Sequence, residues 1–224
     1  MWELTILDAN LPAQRLDSLA AADLDGDGAL ELVTGGDGLF WVRPRDRAWG
    51  RISPRYAHVG VVVGDIDGDG KPEVIVGEGE ALPDKRAELR FGGAGIHSRT
   101  KDWSIAWYKP GADLRGPWAT GLIDPRFEGH VHDILLADID GDGTRELIAI
   151  SCYSDHPGIF ILKPGRDPHR PWTKHAVSEG IFTEGLSIGD LDGDGRLEIV
   201  CGPDWYKAPL AGPLSGHWTR HTFA

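Results

Sequence analysis

A nine-residue loop recurs four times along this chain, and no other feature restricts its fold as tightly. It reads DLDGDGALE from Asp23, DIDGDGKPE from Asp65, DIDGDGTRE from Asp138 and DLDGDGRLE from Asp190, at spacings of 42, 73 and 52 residues. The flanks recur with it. A small, apolar stretch precedes each loop (SLAAA, GVVVG, DILLA, LSIG), and a short β-rich run follows (ELVTGG, EVIVGEG, ELIAIS, EIVCG). Next comes an aromatic or apolar strand ending in basic residues and proline (LFWVRP, IAWYKPG, IFILKPG, DWYKAP), then a strand opened by Trp49, Trp118, Trp172 or Trp218. Each unit therefore holds four strands with turn signals between them, the arithmetic of a propeller blade. No segment of 12 or more residues sustains a helical period. The expected class is all-β: a β-propeller with four repeats of four-stranded antiparallel blades, the loop following the first strand of each. A single domain is expected over 1–224, with repeats at about 11–54, 55–124, 125–178 and 179–224.

The loop has a physical reason. A hard dication takes about six to eight oxygens, and alternate positions of a tight loop turn their side chains inward. The predicted ligands are Asp23, Asp25, Asp27 and Glu31; Asp65, Asp67, Asp69 and Glu73; Asp138, Asp140, Asp142 and Glu146; and Asp190, Asp192, Asp194 and Glu198. A backbone carbonyl at the seventh position completes each set, and the glycines at the fourth and sixth permit the turn. Four carboxylates packed this closely repel one another without a cation, so four structural Ca²⁺ sites are expected. Mg²⁺ is disfavoured because it holds its waters. The loop is not an EF-hand: the twelfth position, where a bidentate Glu is needed, holds Thr34, Val76, Ala149 and Cys201, and a strand follows.

Charge follows the loops. The formal charge is −12, from 23 Lys and Arg against 35 Asp and Glu. The loops hold 16 of these carboxylates, and without them 19 acidic residues face 23 basic ones. Four bound Ca²⁺ would bring the total to −4, so a globally anion-repelling surface is the wrong picture. The basic residues form no patch with interleaved aromatics, which disfavours nucleic acid. No apolar run reaches membrane-span length, and no secretory h-region follows Met1. A soluble chain is expected, secreted or cell-surface only with a leader that this sequence lacks. Cys152 and Cys201 lie at different offsets in their repeats and read as buried free thiols in strands.

The ends pose a closure question. WELTILD at the start reads like the Trp-led fourth strand of a preceding blade, an extra outer strand over 1–10, and WTRHTFA closes the chain in the same way. Two readings follow: a larger ring completed by a second copy, a homodimer through blade edges, or a small closed ring whose first strand caps an edge.

The loop, its flanking strands, and WYKPG followed by PWTKH resemble the FG-GAP and VCBS repeat families. The resemblance implies a β-propeller, as in the head of integrin α chains and in several carbohydrate-active lyases and dehydratases, aldos-2-ulose dehydratase among them. It is specific for fold and metal and weak for function, because adhesion, lectin and enzyme members share the loop.

Calcium sits on one face of such a propeller, and the opposite face, around the axis, is the usual ligand site. The fourth-strand-to-next-blade connections bring there Arg55, Tyr56 and His58; Arg126, Glu128, His130 and His132; Glu179 and Glu184; and Asp17 in the first repeat. The second-to-third-strand connections add Tyr153 and His156, and a long segment over 77–103 with Lys85, Arg86, Arg90, His97, Arg99 and Lys101. Such a loop is too long for a hairpin turn, and loops of that length are usually functional or disordered. Five of nine histidines thus map to one face. His175 and His221 recur within W-T-[KR]-H and read as structural, and the strand-opening Trp residues read as packing anchors.

Three functional classes fit. The first is a lyase or dehydratase performing β-elimination on an anionic or oxidised sugar or polysaccharide. There His132 or His58 works with Tyr56 or Tyr153 in proton transfer, and Arg126 or Arg99 holds the substrate carboxylate. The second is a non-catalytic carbohydrate- or protein-binding propeller. The third is a Zn²⁺ site at His130 and His132 with a further donor.

Overall fold

The computed structural model describes residues 11–13, 16–81, 100–152, 156–180 and 183–223. The expected strand over 1–10, the segment carrying His97 and Arg99, and Tyr153 lie outside the described residues, as does the side chain of His58.

The described residues are all-β, and their strands form four antiparallel sheets of four, each in sequential order. The first blade holds β1 (Ala20–Ala22), β2 (Glu31–Gly35), β3 (Leu39–Arg43) and β4 (Ala48–Ser53). The second holds β5 (Tyr56–Gly64), β6 (Glu73–Ala81), β7 (Thr100–Lys109) and β8 (Ala119–Asp124). The third holds β9 (His130–Ala137), β10 (Glu146–Cys152), β11 (Gly158–Lys163) and β12 (Thr173–Glu179). The fourth holds β13 (Leu186–Gly189), β14 (Glu198–Cys201), β15 (Asp204–Lys207) and β16 (Thr219–Thr222). Each acidic loop joins the first strand of its blade to the second, as expected. No helix among the described residues is long and apolar enough to cross a membrane.

The core lies between blades. Val33 and Trp41 of the first blade pack on Val74, Val76, Ala106 and Tyr108 of the second. Ile75 and Trp107 of the second pack with Val131, Leu147, Ala149 and Phe160 of the third. Ile148, Ile150, Ile159 and Ile161 pack with Ile199, Cys201 and Tyr206 of the fourth. A middle strand covered on both faces cannot alternate polar with apolar, which is why β10 is buried from end to end. The blades approach closely: a Cβ at Gly77 would run into the side chain of Val131. The inner strands touch in succession, β1 to β5, β5 to β9 and β9 to β13, and no comparable contact joins β13 to β1 among the described residues.

Three of the four strand-opening tryptophans tie their outer strand to the turn before it. Trp118 Nε1 donates to the Leu114 carbonyl at 3.0 Å, Trp172 Nε1 to Pro168 at 2.7 Å and Trp218 Nε1 to Pro213 at 2.9 Å. His221 stacks on Trp205 at 4.0 Å. Both cysteines are free and buried.

Candidate functional site

Each acidic loop is built in the same way. The first Asp ties the loop to itself: Asp65 accepts the amides of Gly68 at 2.7 Å and Gly70 at 2.8 Å. Both glycines take positive φ, 77° and 82°, where a Cβ is strained. In the third loop, Asp140 and Asp142 turn Oδ1 to the amides of Asp142 at 3.3 Å and Thr144 at 2.8 Å. Glu146 turns Oε2 to the Ile139 amide at 3.0 Å. The same Glu-to-second-position bond recurs at Leu24, Ile66 and Leu191.

The remaining carboxylate oxygens converge. Ligand atoms of Asp23, Asp25 and Asp27, of Asp65, Asp67 and Asp69, of Asp138, Asp140 and Glu146, and of Asp190, Asp192 and Asp194 lie within 4.8 Å of one another in each group. The donors are hard oxygens in a loop of three Asp and one Glu, the set calcium favours over softer metals. In the fourth loop Glu198 Oε1 is buried and lacks a hydrogen-bond partner. A buried carboxylate oxygen in that position calls for a cation. These residues fit Ca²⁺, which would bridge the two strands that the loop connects.

A basic residue from the third strand also points into every loop. Arg43 pairs with Asp25 and, at 2.9 Å, with Glu31. Lys109 contacts Asp67, Asp69 at 2.9 Å and Glu73 at 2.7 Å. Lys163 contacts Asp140 at 2.6 Å and both Asp142 and Glu146 at 2.8 Å. Lys207 contacts Asp192 and, at 2.7 Å, Asp194, but stays 3.9 Å from Glu198. His169, from the turn after β11, reaches Asp67 at 3.2 Å in the second loop, its ring 4.4 Å from Trp107.

Away from the loops, the connection between β8 and β9 and the start of β7 enclose an open cleft of about 610 Å³. Asp102, Trp103, Pro125, Arg126, Phe127, Glu128 and Gly129 line it. Arg126 is exposed, whereas Trp103 and Phe127 are mostly covered. Asp102 holds φ at 54°, a left-handed conformation uncommon for a residue with a Cβ.

A line of rings leads inward from this cleft. Tyr56 lies 6.5 Å from Trp103, Trp103 lies 4.8 Å from His130, and His130 lies 5.6 Å from His132. Tyr56, Arg126, His130 and His132 are thus brought to one region. His132 is held at both ring nitrogens, Nδ1 at 2.9 Å from Asp133 and Nε2 at 3.3 Å from Glu184. Burial disfavours its charged form, but the Asp133 hydrogen bond and the two negative charges outweigh that, so His132 titrates above an ordinary histidine. Burial also works against the Asp133 anion, and His132 with the Gly185 amide outweighs it, holding Asp133 below the usual carboxylate range. Burial, with the charges of Glu184 and Asp133, pushes the Cys152 thiol up to about 12, so it is no thiolate nucleophile. Both nitrogens of His132 face carboxylates, and no three-donor group includes His130 or His132 among the described residues, so nothing described there supports the expected Zn²⁺ site.

Three groups escaped the sequence reading. Asp133 sits in an ordinary strand run, and Glu78 and Trp103 sit at the two ends of the segment expected as a loop, where the structure instead extends β6 and β7. Glu78 is buried and joins Arg55 at 2.9 Å, Tyr108 at 2.8 Å and Ser53 at 3.2 Å. Burial raises its pKa against the opposing effect of those partners. Arg55 is thereby tied to the blade interior, and it also donates to the Asp102 carbonyl at 3.3 Å. Asp17, in the first blade, accompanies β1 and is remote in sequence and blade from His132; His156 and Glu179 are exposed.

Two solved structures align with this chain at low sequence identity. The V. cholerae biofilm matrix protein Bap1 aligns with 97% of this chain at 17% identity and a TM-score of 0.46, over 32% of its own length. The exotype rhamnogalacturonan lyase YesX aligns with 85% of this chain at 20% identity and a TM-score of 0.50, over 39% of its own length. The chain therefore spans well under half of either protein. No curated protein matches it. Residues 23–76 and 138–201 match the FG-GAP-like repeat, in two stretches that each run from the first Asp of one loop through the next loop to its twelfth position. These stretches cover more than half of the sequence, and the chain belongs to the FG-GAP-like repeat family.

Proposed function

We propose that this chain is a calcium-stabilised propeller that binds an anionic saccharide in the cleft between its second and third blades. The observation that carries this reading is the exposed Arg126 set among Trp103, Phe127, Asp102 and Glu128 in one cleft. A guanidinium recognises a carboxylate through two parallel hydrogen bonds. Carboxylates beside it accept from sugar hydroxyls, and the aromatic floor covers the apolar face of a sugar ring. The four acidic loops hold Ca²⁺ on this reading and brace the blades that form the cleft. That YesX, a protein of this fold, is a rhamnogalacturonan lyase makes acidic saccharides the first class to test.

A lyase or dehydratase reading draws on the same residues. In β-elimination a base removes the proton beside the carboxylate, its electrons form a C=C bond, and the β C–O bond breaks as an acid protonates the leaving oxygen. His132, raised by two carboxylates, suits the acid and not the base; Tyr56, Tyr153 or His58 would take the other role. Binding is the better-supported reading because Arg126, Glu128 and the rings line the cleft, whereas Tyr153 and the His58 side chain lie outside the described residues.

The test is a glycan array of uronate-containing and neutral saccharides, run beside an ultraviolet assay for new C=C bonds. Binding confined to uronates without absorbance supports the binding module. Absorbance growth abolished in His132→Ala moves the assignment to a lyase. Silence in both assays rejects carbohydrate as the ligand.

Self-association completes the proposal. The face of each blade that meets the next carries one cross-strand row, such as Leu135, Ile148, Ile161 and His175 in the third. Ile148 and Ile161 are fully buried there, whereas their counterparts Val200 and Trp205 in the fourth blade are only half-buried. A second copy of this chain seated on that face would cover them, fourth blade against fourth blade. On the opposite face of the first blade Phe40 is fully buried, with Arg51 over its ring.

A further inference from the structure

The register of the blades places a cation across from every loop-closing glutamate. Leu147 faces Leu162, which leaves Glu146 and Lys163 as the next pair outward. Leu32 facing Val42, Val74 facing Tyr108 and Ile199 facing Tyr206 do the same for Glu31 and Arg43, Glu73 and Lys109, and Glu198 and Lys207. In the third loop the three oxygens that the loop amides leave over, Asp140 Oδ2, Asp142 Oδ2 and Glu146 Oε1, are the three that hold Lys163 Nζ. An ammonium has three donors, and here three acceptors lie at 2.6, 2.8 and 2.8 Å.

A Ca²⁺ ion needs such oxygens at about 2.3–2.6 Å. It cannot take all three while the ammonium keeps them, because two cations would then nearly touch in a poorly solvated site. We propose that Lys109, Lys163 and Lys207, with Arg43 in the first blade, are resident cations of the four loops that a divalent ion must displace. Metal affinity is then set by competition with a side chain of the same blade, and each loop stays partly neutralised when the ion leaves. The buried Glu146 illustrates this, since the Ile139 amide and Lys163 satisfy both of its oxygens from within the chain. The competition is least complete in the fourth loop, where Lys207 stops 3.9 Å short of Glu198.

The proposal rests on the calcium reading of the loops, and the test separates the two. Calcium is titrated by calorimetry into chelator-stripped wild type, Lys163→Met, and the triple variant Lys109→Met/Lys163→Met/Lys207→Met, and each is melted in chelator and in saturating Ca²⁺. The triple variant is expected to bind Ca²⁺ at least tenfold more tightly, to melt below wild type in chelator and to match it in saturating Ca²⁺. Should the triple variant not fold in chelator, Lys163→Met makes the same comparison at one loop. Calcium binding by wild type with unchanged or weaker affinity in the variants overturns the competition and leaves the calcium reading standing. Binding by the variants alone supports the competition, and binding by no protein overturns both.

Discussion

Lys163 Nζ lies 2.8 Å from Glu146 Oε1, across the sheet from it and inside the loop that the glutamate closes. The pairing recurs in all four blades with Lys or Arg as the partner, at 2.9 Å in the first and 2.7 Å in the second but only 3.9 Å in the fourth, so each loop is an acidic ring with a cation supplied from the neighbouring strand. It makes the acidic loops part of the blade's own framework. The opposite side of the structure carries the cleft.

Asp140→Ala removes one oxygen from the metal set and one from Lys163. Selective binding to the folded state is worth roughly 2.7 kcal/mol per site at a hundredfold excess of ligand over Kd. The variant is expected to melt below wild type in millimolar Ca²⁺, with the gap narrowing in chelator. A gap that is the same in both conditions would assign Asp140 a role independent of metal.

Arg126→Ala tests the cleft without disturbing the core, because this side chain is exposed. Loss of a charged hydrogen bond costs about 1.5–3 kcal/mol, or roughly 10- to 150-fold in affinity. Uronate oligosaccharide binding, measured by calorimetry, is expected to weaken by that factor at an unchanged melting temperature. Unaltered affinity would remove Arg126 from the site.

The His132–Asp133 pair predicts a pH window. His132 is raised in the folded state, so its share of stability is complete below about 6.5, the value of an unfolded histidine, and is lost as pH rises through the folded value. Asp133 is depressed, so its share is present above about 3.9 and is lost as pH falls through its folded value. His132→Gln should therefore cost the most stability between about pH 4 and 6.5, with the deficit shrinking as pH rises. Melting temperatures of both proteins from pH 4 to 9 decide this, and a deficit that grows with pH contradicts it.

Association through the fourth blade predicts a dimer by light scattering at micromolar concentration. Trp205→Arg places charge on the half-buried row beside His221 and should give a monomer with an unchanged fold. A monomeric wild type would leave this face without a second copy.

Much of this was legible in the sequence. The loop D-[LI]-D-G-D-G-x-x-E fixes metal-type donors, and the four flanking runs fix four strands per blade, because both depend on residues close in the chain. The basic end of each third strand was also visible as WVRP, WYKP, ILKP and WYKA, but its partner was not. Only the antiparallel return of the strand brings Lys163 beside Glu146, and no local pattern encodes that pairing. Asp133 escaped for a related reason: it follows His132 in an ordinary strand, and its role depends on the turn before β13 supplying Glu184 and the Gly185 amide. Trp103 fell in the segment 77–103 that reads as a loop, and only the fold sets it in β7 against His130 of the next blade. Nor did the sequence show what else reaches the His132 ring, where two carboxylates meet it.

The central claim is that four repeats each close around a divalent ion. Calorimetric titration of Ca²⁺ into chelator-stripped protein, with the bound metal counted by elemental analysis after dialysis, tests it most directly. The account predicts a stoichiometry approaching four Ca²⁺ per chain and a melting temperature that rises with Ca²⁺ concentration. Protein that retains no calcium, and melts at one temperature with and without it, would contradict the account.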